Sequence, residues 1–424
     1  MPNFSIPLSG LTAESTALST IANNLANQNT TGYKDTRVLF SDLFYQNLST
    51  TGAGDPVQLG AGTQIGSMPA TFTQGSVSST GVPTDVAIQG DGFFVVQEAG
   101  VTRYTRAGNF SVDQNNFLVT SEGQDVLGYP ATNGVVNTGQ AIGPLQLGAG
   151  TISPPAATTQ VEIQTNLDAT ATAGSANGTY STPLTIYDSL GTAHTLTFTF
   201  TNTAANTWTY SLSIPSTDLN PLPPPGGGNP VPQSGILSTG TLTFNGNGVL
   251  TSPTGNVTGI TATSLADGAN NLTFDWDLFN GTTPVVTQVA GPSSTSSTQQ
   301  DGASSGTLTD FSIGADGTIT GSFSNGKTAA LGQLALAGFA NDQGLERVGN
   351  TDYTETLASG QAVIGTPGTG GRGTVAGGSL ELSNVDISTE FANLIVAQRA
   401  FEADAKAVTT FDQITQDTIN LKQA

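Results

Sequence analysis

Cysteine is absent from the 424 residues, and histidine occurs once, at His194. The first absence excludes disulfides, thiolate metal sites and cysteine nucleophiles. The second leaves no pair of histidines for a metal and a single possible base for Ser/His/Asp chemistry. Cations are scarce as well: 10 Lys and Arg stand against 31 Asp and Glu, for a net charge of −21, and none lies between Arg106 and Lys327. Phosphate binding needs clustered cations, so nucleic acid is not an expected partner. A subunit this acidic repels its own copies, which makes any assembly sensitive to ionic strength. No apolar run is long enough to cross a bilayer, so membrane insertion is not expected. The N-terminus lacks the basic and apolar regions of a cleaved signal peptide.

What the chain does contain is 53 Gly and 21 Pro with only 10% charged residues. That mix, with abundant Thr and Ser, favours short strands and turns in the interior, and the length allows two or three domains. The ends read differently. Leu8, Leu11, Leu18, Ile21, Ala22 and Leu25 recur at helical spacing, while the opposite face carries Ala13, Ala17, Thr20 and Asn24 where a surface helix would show Lys and Glu. A helix is expected there, with Ser5 as its cap, Pro7 in its first turn and Gly32 as its stop. A second, longer helix is expected after Ser383, which forms a capping box with Asp386. Phe391, Leu394, Ile395, Phe401, Ala405, Val408 and Phe411 form its wide apolar face. Leu11, Leu18, Ile21, Leu25, Phe391, Leu394, Phe401, Val408 and Phe411 are therefore the candidate assembly residues. Glu14 falls at the edge of the apolar stripe. It is expected either to pair with a cation of a neighbouring terminal helix, Arg399 or Lys406, or to reach water.

Between the ends, Val86-Ala87-Ile88, Phe93 to Val96, Thr102 to Thr105 and Phe117-Leu118-Val119 read as strands separated by Gly, Asp and Asn turns, and the style resumes near Gly306. From Leu184 to Phe279 the alternation of Leu196, Phe198 and Phe200 with Thr195, Thr197 and Thr199 predicts half-buried strands of an antiparallel barrel or sandwich, with Trp208, Tyr210, Phe274 and Trp276 in its core or rim. The segment from Asn220 to Gly228 reads as a surface loop with a polyproline start. Asp188, Ser189 and His194 sit in one turn-like stretch, which is a poor basis for a triad. Gly365 to Gly373 lacks the Lys-Ser/Thr ending of a phosphate loop and reads as a flexible linker. Asp91, Asp316 and the Asn245–Gly248 run read as tight turns rather than calcium loops. No catalytic, cofactor or metal site is expected.

Asn23-Asn24-Leu25-Ala26-Asn27-Gln28-Asn29-Thr30-Thr31-Gly32-Tyr33-Lys34 resembles the N-terminal signature of the bacterial flagellar rod and hook proteins. Leu380 to Asp386, followed by Ala397-Gln398-Arg399-Ala400-Phe401, resembles their C-terminal one, and Ile88 to Phe94 and Arg103 to Phe110 extend the likeness inward. The resemblance implies a mainly β chain whose terminal α-helices pair as a coiled-coil-like core, with two β domains, the outer inserted in the inner. The implied parts are a helical core at 1–32 and 380–424, linker arms at 33–70 and 365–379, an inner β domain at 71–143 and 306–364, and an outer one at 144–305. It also implies a self-polymerising, non-enzymatic subunit exported without a cleaved signal, and the short apolar stretch Phe4 to Leu8 reads as a candidate export signal. Rod, hook–filament junction protein, hook cap and export apparatus are the implied partners. The large insertion, with Pro183 to Gly191 like the start of the hook insertion, favours the hook over the distal rod. A secreted β-rich adhesin trimerised by its helices is the reading from another class.

Overall fold

The computed structural model describes residues 5–50, 54–147, 152–221 and 232–421. Strand is the commonest regular structure along this length, joined by short Gly- and Asn-containing turns, and the two ends are helices: α1 (Ser5–Ala26) and α2 (Ile387–Leu421). The proline-rich run from Leu222 onward and Phe4 lie outside the described residues. No helix among them is long and apolar enough to cross a membrane. The chain forms two compact units, one of Met1–Ala149, Asp310–Gly321 and Thr328–Ala424, the other of Gly150–Thr309 and Ser322–Lys327.

In the first unit, strand Phe93–Glu98 pairs antiparallel with both Val101–Thr105 and Asp125–Thr132, and the latter pairs with Thr328–Leu334. Val86, Phe94, Val96, Leu118, Leu334 and Leu336 fill one side of this sheet, and Phe93, Tyr104 and Tyr353 form a smaller aromatic cluster. Within residues 33–70, expected as a linker arm, strands form two pairs: Leu39–Asp42 with Thr63–Ser67, and Gln46–Thr50 with Pro56–Leu59. The expected flexible linker from Gly365 to Gly373 is also tied down. Gly373 donates to the Asp91 carbonyl at 2.7 Å, and the Arg372 guanidinium donates to the carbonyls of Thr366 and Val363. Beyond it, Thr374–Gly377 pairs with Val86–Gln89, and Ser379–Glu381 with Val77–Ser79.

The second unit is a sandwich, as the alternation predicts. Phe198, Phe200, Trp208, Tyr210, Phe274 and Trp276 are all buried in one core between two sheets, with Trp276 edge-on to Phe198 at 5.1 Å. One sheet is antiparallel throughout, from Thr179–Tyr187 through Ala193–Ala204, Thr207–Ser213 and Ile236–Phe244 to Leu250–Ser252. The other departs from the expected antiparallel pattern. Gln160–Asp168 pairs parallel with Leu272–Asp277 and Val286–Val289, and antiparallel with Ser294–Gln300.

Candidate assembly site

Three of the sequence signatures meet at a buried ion cluster in the first unit. Lys34 Nζ donates to Glu381 Oε1 at 2.6 Å and to the Thr73 carbonyl at 2.8 Å. The same oxygen accepts the Gly75 N–H at 2.9 Å, while Arg106 Nη1 lies 3.4 Å from Glu381 Oε2 and donates to the Gly90 carbonyl. The Lys34 and Glu381 side chains are 0% exposed. Burial pulls the Lys34 ammonium below its ordinary value, and the Glu381 carboxylate opposes that fall. A buried pair adds little net stability over an apolar substitute, but removing one partner strands the other charge in a low dielectric. Lys34 and Glu381 stand 347 residues apart in sequence, so the cluster closes the two ends of the chain on each other.

Backbone contacts reinforce the closure. Asn384 accepts the Asp35 N–H at 2.8 Å and donates to the Thr71 carbonyl at 2.8 Å. Asn24 donates to the Thr36 carbonyl and accepts from Tyr33 Oη. Gly32 has φ +67°, and a Cβ there would lie 2.6 Å from both the Arg106 carbonyl carbon and the Ala107 nitrogen. A side chain would therefore meet both backbone strain and a clash.

The helices pack antiparallel, because Gly10, near the start of α1, lies against Asp404 while Asn24, near its end, lies beside Glu390. Their contact is made by the small face of α1: Ala13, Ala17, Thr20 and Asn24 are buried, as is Ala397 on α2. Small residues permit close approach of two helix backbones. The leucine stripe, with the candidate assembly residues Leu11, Leu18, Ile21 and Leu25, is half-buried. On α2, Leu394, Phe401, Val408 and Phe411 are half-buried, whereas Phe391 and Ile395 are exposed and Val396 is 68% exposed. Between α1, α2 and residues 36–40 runs an open groove of about 480 Å³, with Ile21, Phe40 and Val396 among its walls. The Leu39–Ser67 hairpins add exposed Phe44, Tyr45 and Met68.

The helix ends differ from expectation by local chemistry. Ser5 is already inside α1, and the helix stops at Ala26, before the turns that lead to Gly32. At α2 the cap is Asp386, whose Oδ1 accepts the Thr389 N–H at 3.0 Å; the Ser383 hydroxyl instead accepts from Val385. Glu14 lies beside a carboxylate rather than a cation of its own chain, since Arg399 and Lys406 are exposed elsewhere on α2. Burial, and then the Asp404 charge, raise the Glu14 carboxyl above its ordinary value.

The discounted triad does not come together. The Ser189 hydroxyl accepts the Asn270 N–H, and both ring nitrogens of His194 are occupied by Asp218 and Asp188. What sequence reasoning missed is the Lys34, Arg106 and Glu381 cluster. The available signal was that these are charged residues in a chain with only 10% of them, each inside one of the recognisable signatures.

Four family descriptions cover successive stretches of the chain. Flagella basal body rod protein matches residues 6–34, Flagellar hook protein FlgE/F/G D1 domain 87–167, Flagellar basal body protein FlaE D2 domain 144–303, and Flagellar basal body rod FlgEFG protein C-terminal 376–421. The flagellar hook protein FlgE of Escherichia coli is 36% identical over 99% of this chain and 100% of its own length. Those of Treponema pallidum, at 35% over 98% of both chains, and Borreliella burgdorferi, at 33% over 98% of both, are similar throughout. With identity of this level over nearly the whole length of each chain, through the second unit as well as the terminal signatures, the chain belongs to the flagellar hook protein FlgE family.

Proposed function

We propose that the chain is the structural, non-catalytic subunit of the flagellar hook and polymerises into the curved tube that joins rod to filament as a universal joint. The observation that carries this reading is the pair of terminal helices locked to each other by small residues while Phe391, Ile395, Val396 and the hairpin aromatics remain exposed. Each such side chain gains about 1.5–3 kcal/mol when removed from water, and neighbouring copies of the same chain are the partner that would cover them repeatedly. A head-to-tail contact whose rotation does not close gives a helical tube. Rod, junction protein, cap and export apparatus are the further partners that the family implies, with export proceeding without a cleaved signal. Electron microscopy of basal bodies from a strain lacking this gene tests the proposal. Complete rods that end without a hook are expected; truncated rods would place the chain in the rod, and intact hooks would remove it from the axis.

Glu14 gives a second test. Two carboxylates facing each other across α1 and α2 make a natural acceptor for a cation of the next subunit, Arg399 or Lys406, both exposed. Glu14→Gln is expected to weaken the salt dependence of polymerisation; unchanged salt dependence would reject the pairing. In the free chain the sign is set by the raised Glu14 pKa. Its contribution to helix pairing is fully present below the ordinary glutamate value and is lost as pH rises through the raised one. Amide exchange in α1 should therefore quicken between acid and neutral pH, and less so in Glu14→Gln.

A further inference from the structure

We propose that the outer unit carries a divalent transition-metal site formed by Asp188, His194 and Asp267, with Asp218 holding the histidine in its coordinating tautomer. The proposal stands on the second unit alone and does not depend on the hook reading. Its ligands come from separate segments: Asp188 from the turn after strand Thr179–Tyr187, His194 from strand Ala193–Ala204, and Asp267 from the loop before strand Leu272–Asp277 in the opposite sheet. Their ligand atoms lie within 4.8 Å of one another.

The orientation of each group favours coordination. Asp218 Oδ2 lies 2.9 Å from His194 Nδ1, so Nδ1–H can donate to that carboxylate while Nε2 serves as the ligand atom, a metal there taking the place of the Nε2 proton. Carboxylate partners of this kind orient metal-binding histidines. Nε2 points at Asp188 Oδ2, 3.2 Å away. Asp188 is 0% exposed, and its other oxygen is held by the N–H groups of Leu190 and Thr192, which leaves Oδ2 facing the histidine. Asp267 approaches the same carboxylate from the exposed side. Ligands about 2.0–2.2 Å from zinc stand roughly 3–3.5 Å from one another, so a shift of about 1 Å by the exposed Asp267 would close the set.

Charge supplies an independent reason. Three aspartates converge on one imidazole in a stretch with no Lys or Arg between residues 106 and 327. Lys327, the next cation, is committed to the Asp301 carbonyl at 2.8 Å. His194 Nε2 faces Asp188 with a second carboxylate beside it, a place for positive charge that a proton on Nε2, or a metal ion replacing that proton, would fill. The imidazole selects a borderline ion such as zinc over magnesium. Bound there, the ion would tie the two sheets of the sandwich together at one end.

The test is calorimetric titration of zinc chloride into the metal-stripped full-length chain, with melting followed in parallel and magnesium as the control ion. One zinc per chain is expected, with a melting temperature that rises with zinc concentration and no comparable response to magnesium. Asp267→Asn, at an exposed position, should leave the metal-free melting temperature unchanged and weaken zinc binding at least about tenfold. Asp218→Asn should weaken it by about 10- to 100-fold. His194→Ala should abolish the site. Because that variant removes a buried side chain, Asp267→Asn carries the decision if it fails to fold. No zinc binding by the parent chain, or equal binding by the parent and Asp267→Asn, overturns the proposal, the latter by assigning the ion to surface carboxylates.

Discussion

Glu381→Ala should destabilise the first unit by about 3–5 kcal/mol, the range for removing one partner of a buried ion pair. Its carboxylate receives Lys34, Arg106 and the Gly75 N–H, and nothing replaces those contacts when it is gone. Two cations would remain buried, and the Arg106 Nε already has no hydrogen-bond partner. Glu381→Gln keeps the shape and one acceptor oxygen but removes the charge, so it should fall closer to the alanine variant than to the parent. Adding Lys34→Met to Glu381→Gln should recover part of the loss, because the two side chains are in direct contact. Hydrogen exchange is the suitable readout, since a chain of two units need not unfold in one step. Strands Val86–Gln89 and Thr374–Gly377 should lose protection, while Ala193–Ala204 in the second unit keeps it. Glu402→Ala, at an exposed position on α2, should change stability by no more than about 0.5 kcal/mol. If Glu381→Ala behaved like Glu402→Ala, the cluster would not be what closes the chain ends.

The same cluster marks the limit of what the residues in order can reveal. Lys34, Arg106 and Glu381 each lie inside a recognisable signature, yet nothing local records that they meet, because the pairings span 347 and 275 residues. The outer unit was more legible where the cause is local. Leu196, Phe198 and Phe200 alternate with threonines, and all three are buried as a half-buried strand requires. The parallel pairing of Gln160–Asp168 with Leu272–Asp277 left no such trace, since it joins segments more than a hundred residues apart. Within the expected arm at 33–70 the pairing was not legible, because its clustered apolar side chains are spaced along paired strands and stay exposed at Phe44 and Tyr45.

α1 shows this conflict most directly. Periodicity identifies a leucine stripe and a small-residue face, and the ordinary expectation sends the leucines inward. The folded chain does the reverse, burying Ala13, Ala17, Thr20 and Asn24 against α2. Both faces are meant to be covered in a surrounded helix. Which one meets the partner within the chain depends on how closely the backbones approach, and periodicity carries no information on that distance.

Phe391→Asp combined with Val396→Asp should leave the isolated chain folded and prevent it from polymerising. Both side chains are exposed on α2, so in the free chain they contribute little packing, and an exposed substitution usually shifts stability by no more than about 0.5 kcal/mol. In an assembly that covers this face the balance reverses. Each new carboxylate must lose its water without a hydrogen-bonded partner, at a cost of several kcal/mol, and the burial gained by the parent side chains is lost. The penalty recurs at every subunit, and two further negative charges add to a chain that already carries −21. Sedimentation of polymer, with circular dichroism of the soluble chain as the control for folding, separates the two states. Soluble, helical, non-pelleting chain is the expected result. Normal polymer from the double variant would show that this face of α2 stays in solvent, and the exposed aromatics of the hairpins would then have to carry the contact between subunits.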